Sequence, residues 1–180
     1  MALLTRAQVL AAASQRSWGT RSAAMTAVTK SLSTPTDTDF DIFLSHSYED
    51  AELIAGVQSL IEAEGLTVYV DWVVDRQLDR SSVTAATAKL LRTRMKHCRF
   101  LLYVSSKSSS DSKWMPWELG YFDGKRSSNR IGILPIVVNA GDRFRGQEYL
   151  GIYPVYESVG VHIAHMGEGH TQTLKSAAVL

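Results

Sequence analysis

Four stretches of this chain are of strand length and apolar at nearly every position: residues 40–44, 66–70, 100–104 and 131–138. A strand with one wet side alternates apolar and polar residues; these runs do not, so both faces of each must be covered. Segments with helical spacing lie between them. Residues 49–64 carry Leu53, Val57, Leu60 and Ile61 on one face and stop at Gly65, residues 83–97 carry Leu90, Leu91 and Met95, and residues 114–124 form a third helix. A fifth, short strand is expected at Tyr153-Pro154-Val155-Tyr156, and a terminal helix after Gly167. Pro135, inside the fourth run, marks a strand edge or a bulge because it has no N–H for a ladder. Buried strands alternating with helices predict an α/β fold, doubly wound in the flavodoxin-like manner. It is a three-layer sandwich with a parallel sheet of about five strands and helices on both faces.

At 180 residues and 45% hydrophobic, the chain supports one domain with a sizeable core. A polar linker around Pro35 divides it into an N-terminal extension and linker, residues 1–38, with room for one helix, and a domain over residues 39–180. Within it, residues 1–36 carry Arg6, Arg16, Arg21 and Lys30 and no acid. That composition is shared by organelle transit peptides and by amphipathic helices that pack on a domain or a partner. All 18 acidic residues fall in the rest of the chain, which is net acidic and argues against a nucleic-acid partner. Cys98 is the single cysteine, so an intrachain disulfide and a Cys-based zinc cluster are excluded, and a cytoplasmic setting fits. No apolar run approaches the roughly 20 residues of a membrane span, so no membrane partner is expected.

There is no GxGxxG after the first strand and no Walker-type loop. The first strand ends instead in Ser45-His46-Ser47-Tyr48-Glu49-Asp50, a polar turn at the edge where open α/β sheets bind ligands. Ser47 either caps the next helix or meets a ligand there. Ser45 and His46 are adjacent on a strand and point to opposite faces, which argues against a Ser–His nucleophile pair. His162, His165, Glu168 and His170 lack one-face helical spacing and are loosened by Gly167 and Gly169. A solvated loop is expected there, and no metal site. In Ser112-Lys113-Trp114-Met115-Pro116-Trp117-Glu118, Pro116 is tolerated only in a first helical turn, which fixes a helix start near Ser112. Trp114 and Glu118, four apart, then share one face. These residues alone leave two readings: an indole and a carboxylate at a ligand edge, or Trp114 and Trp117 packed as core with Glu118 in solvent.

Asp41-Ile42-Phe43-Leu44-Ser45-His46-Ser47-Tyr48-Glu49-Asp50 resembles the opening signature of the Toll/interleukin-1 receptor (TIR) domain family. Val68-Tyr69-Val70-Asp71 is similar to the second strand leading into that family's BB loop, and the segment from Ser112 to Leu119 to its third-helix motif. The likeness is greatest to bacterial stand-alone members, such as the sensing component of Thoeris anti-phage defence. It implies a NAD+-cleaving enzyme that releases nicotinamide and forms ADP-ribose or a cyclic ADP-ribose-type signal for a separate effector. NAD+ is then substrate rather than cofactor, and self-association through TIR–TIR contacts is expected. The resemblance makes Glu118 the catalytic residue. Trp114 would offer a flat surface to a base, Ser45, Ser47 and Asp71 would contact substrate, and Arg80 would either meet the pyrophosphate or pair with Asp75 or Asp79. Many animal members are non-catalytic interaction modules, the alternative reading. The loop after Asp71 departs from the Gly- or Pro-centred receptor form. A response-regulator relative is disfavoured because the first strand lacks an acidic end.

Overall fold

A computed structural model describes residues 2–15, 34–75, 84–159, 162–167 and 170–179. Its centre is a five-stranded, wholly parallel sheet in the order β1-β5-β4-β2-β3. The strands are β1 (Leu4–Thr5), β2 (Phe40–Ser45), β3 (Val68–Tyr69), β4 (Cys98–Ser105) and β5 (Ile131–Val137). Helices α1 (Arg6–Gln15), α2 (Ala51–Ala63), α3 (Asp71–Val74), α4 (Ala85–Lys96), α5 (Trp114–Asp123) and α6 (Leu174–Val179) surround it.

The apolar runs become strands because each side chain has a core to enter. Along β4, Phe100, Leu102 and Val104 join the core under α1, α2 and α6, while Leu101 and Tyr103 join the core under α4 and α5. Ile42 and Leu44 of β2 enter the first core and Phe43 the second. This is the two-sided burial that apolar, non-alternating strands demand. It makes Ser45, next on the α4–α5 side, the polar end of an otherwise apolar row. Pro135 pairs with Ser105 at the last register position of the β4–β5 ladder, where a missing N–H costs least.

The structure corrects two sequence expectations. Residues 153–156 do not form a full fifth strand: only Val155 bridges Ile133, because Pro154 supplies a carbonyl to Ile133 N and no N–H. The place beyond β5 is shared with β1, whose Leu4 and Thr5 pair with Ile136 and Val137. The histidine-bearing stretch is not a loop in its described part. Strands β6 (Glu157–Val159), β7 (His162–Gly167) and β8 (His170–Thr173) form an antiparallel sheet. Its anchor is distant in sequence: Ile163 N–H donates to the buried Glu64 carboxylate at 2.8 Å. His165 lies edge-on to Tyr156, 4.9 Å between ring centres, and bonds Gln172. Glu168 lies outside the described residues, and the expected terminal helix begins only at Leu174.

Helix α1 packs on α2 across Gly56, with Val9 fully buried. A Cβ on Gly56 would lie 2.0 Å from the Val9 carbonyl oxygen, closer than any real contact. Gly56→Leu is therefore expected to displace α1 and lower stability by about 1–3 kcal/mol. Thermal denaturation and proteolysis of the N-terminal segment check this; unchanged melting and unchanged protection would contradict the packing. Cys98 is buried at the start of β4, and burial pushes its thiol well up, against the lowering influence of Arg94 and Arg126. A maleimide should label it only after unfolding, and rapid labelling of the native protein would show the strand start to be open.

Candidate active site

Glu118 sits in the second turn of α5, and its position follows from the sequence of that turn. Ser112 Oγ accepts a hydrogen bond from Met115 N–H at 3.3 Å, and Pro116 falls within the first turn. Trp114, Met115, Leu119 and Phe122 anchor the helix to the sheet. That rotation sends Glu118 inward to the end of β2, where Ser45 Oγ donates to its carboxylate at 2.6 Å. Both residues are 0% exposed. The cross-strand neighbour of Ser45 is Tyr103. Its phenol is pushed up by burial first, then by its bond to Tyr149 and the negative charge of Glu118. Tyr103 therefore belongs to the carboxylate's surroundings, and sequence reasoning missed it. The alternation along residues 100–104 held the signal, since it puts Tyr103 on the face of Ser45.

Two of the other named residues collect at the same end of the sheet. Ser47, 5% exposed, precedes a 3-10 turn, Tyr48–Asp50; its carbonyl accepts Asp50 N–H at 3.1 Å and its hydroxyl does not cap the turn. Ser106 donates to the Asp50 carboxylate and fixes the turn against the loop after β4. Asp71, at the start of α3, accepts Trp72 N–H at 2.7 Å and stands 3.3 Å from His46 Nε2. The opposite ring nitrogen of His46 donates to Leu44 O at 2.8 Å. Its Nε2 is buried without an aligned hydrogen-bond partner among the described residues. Arg80 lies outside the described residues.

Trp114 is buried as well. Its indole is 5% exposed and meets Trp117 edge-on at 5.4 Å, within the α4–α5 core. Trp117 in turn stacks on Tyr121 and carries Arg92 over its face. The indole is thus enclosed in this structure, as the carboxylate is. Of the packing reading, the tryptophans do join the core, while Glu118 is buried with them rather than in solvent.

A cavity of about 190 Å³ lies lower on the α4–α5 face, lined by Met95, Lys96, Tyr121, Phe122, Lys125 and Arg126. It is smaller than the pockets that enclose drug-sized ligands. Arg126 is already spent on the Lys96 and Cys98 carbonyls. The Glu118 carboxylate itself is fully enclosed.

The parallel sheet in this order carries a buried serine–glutamate pair at its C-terminal edge. The chain belongs to the TIR domain family, which it matches over residues 42–156. Among curated proteins it is 52% identical over 116 residues to one from Bacillus cereus (strain MSX-D12) named "Probable 3′ cyclic ADP-D-ribose synthase ThsB′". That match covers 64% of this chain and 59% of the relative. A second relative, from Cytobacillus dafuensis, is named "Putative cyclic ADP-D-ribose synthase TIR2". It is 28% identical over 109 residues, covering 60% of this chain and 27% of its own. The chain thus spans less than two thirds of each relative's length.

Proposed function

We propose that this protein cleaves the nicotinamide–ribose bond of NAD+ and converts the remainder into a cyclic ADP-ribose-type signal, with Glu118 as its catalytic residue. The observation that carries the reading is the buried Ser45–Glu118 pair at the C-terminal edge of the parallel sheet. The names of the two relatives agree with it.

The chemistry needs little more than that pair. Glycosidases acting on neutral sugars generally use two carboxyl groups, one to protonate the leaving group. Nicotinamide is cationic while attached and departs neutral, so no general acid is required. What must be stabilised is positive charge growing on the ribose, and a carboxylate in a dry site does this far better than one in water. The Ser45 hydroxyl, now donating to Glu118, marks where a ribose hydroxyl would donate once the site opens. No cofactor or metal enters this scheme. The fate of the ribosyl cation follows from the nearest nucleophile: water gives ADP-ribose, and a group of the bound substrate gives a ring.

Ser47 and Asp71 would contact substrate from the ends of β2 and β3, and Arg80 would meet the pyrophosphate. The natural setting of such activity is bacterial anti-phage signalling in the cytoplasm, with a diffusible nucleotide reaching a separate effector and self-association promoting activity. One observation favours the rival reading, a non-catalytic interaction module: the complete enclosure of Glu118. Incubation with NAD+ over a wide range of protein concentrations, followed by chromatography, separates the two. Nicotinamide release with a cyclic product supports the enzyme; its absence at every concentration favours the module.

A further inference from the structure

Most described aromatic rings near the end of β2 are engaged, Tyr149 only through its bond to Tyr103. Trp114, Tyr103 and Tyr69 are buried, Trp117 is covered by Tyr121 and Arg92, and Trp72 is half-buried against the α2 side of the core. Tyr48 is the exception. Its side chain is 71% exposed, more than any other described aromatic residue. It stands one residue beyond Ser47 on the turn that follows β2. Its backbone is held on both sides, by the Ser47 carbonyl bond to Asp50 N–H and by the grip of Ser106 on the Asp50 carboxylate. An open ring on a fixed backbone, three residues from the serine that holds the proposed catalytic carboxylate, is a preorganised surface for a flat ligand.

From this geometry we infer that Tyr48 is a ring on which a base of the dinucleotide stacks, making it a substrate-positioning residue. The inference rests on the proposed reaction for its ligand. NAD+ carries two flat heterocycles, and an aromatic face is the usual protein partner of each. A Tyr48-stacked base would hold the substrate across the mouth of the site, with its ribose directed at Glu118.

The test is NAD+ binding measured by calorimetry, in a Glu118→Gln background so that nothing is consumed. Tyr48→Ala in that background should weaken binding about tenfold or more, the usual worth of one base–aromatic stack. Tyr48→Phe and Tyr48→Trp should retain it. Melting temperatures should match, since the side chain is exposed. Equal affinity with and without Tyr48, or no NAD+ binding by either protein, overturns the inference. Turnover in the otherwise native chain is scored separately. Nicotinamide release with the same KM in Tyr48→Ala removes the stack and leaves the enzyme standing. Tyr48-dependent binding without nicotinamide release keeps the stack and removes the reaction.

Discussion

Glu118→Gln should abolish nicotinamide release from NAD+, lowering kcat by about 10²–10³-fold or more, while the protein stays folded. The magnitude follows from the enclosure of the side chain. A carboxylate facing growing positive charge in a water-free site acts through a low dielectric, so the neutral amide forfeits most of the stabilisation. Glutamine is the informative replacement because its carbonyl can still accept the Ser45 hydroxyl at the 2.6 Å position. Alanine would leave that buried hydroxyl without this partner and open a cavity beside Trp114, so a folding defect of about 1–3 kcal/mol would confuse the result. Circular dichroism and thermal melting establish the fold, and chromatography of nicotinamide gives the rate. Equal turnover in native and Glu118→Gln proteins would remove Glu118 from its role.

The largest expected loss of stability lies elsewhere, at Arg94. This guanidinium is 0% exposed and grips Asp75 through Nε and Nη2, both at 2.8 Å. Nη1 donates to the Pro35 carbonyl at 2.6 Å and Nη2 to that of Thr34 at 3.1 Å. Tyr69 completes the cluster by donating to Asp75 at 2.8 Å. Burial alone would lower the arginine's proton affinity; hydrogen bonding and the charge of Asp75 outweigh it and hold the group raised. The Tyr69 phenol is pushed well up by burial and then by the charges of Asp75 and Asp71. Arg94→Leu strands the Asp75 charge in the interior and frees two linker carbonyls, and should cost about 3–5 kcal/mol. For a domain of this size that lowers the melting temperature by about 10 °C. Pairing it with Asp75→Leu should recover part of the loss, because the uncompensated charge is then gone. Denaturant titration of single and double variants checks this; a single variant as stable as the native chain would show the cluster to be solvated.

Local pattern carried a good deal. Apolar runs without alternation required a sheet buried on both faces, Gly65 ended α2, and Pro116 set the start of α5, because each feature acts within a few residues of itself. The ordered motifs also pointed to the family and to Glu118. Contacts between distant residues could not be read in this way. Spacing put Trp114 and Glu118 on one face but did not say that the face turns inward, where Trp117 occupies the indole and Ser45 the carboxylate. Nor did the linker composition foretell that Thr34 and Pro35 are held by Arg94.

The sequence by itself determined the layered α/β architecture and the start of the helix that bears Glu118, since periodicity and turn chemistry are local properties. Tertiary structure alone decided which residues fill the sheet's outer edge, that the histidine stretch folds into strands, and that Tyr48 rather than Trp114 shows an open ring. Each of those depends on which groups far apart in the chain compete for the same buried space, and that competition is settled only when the core closes.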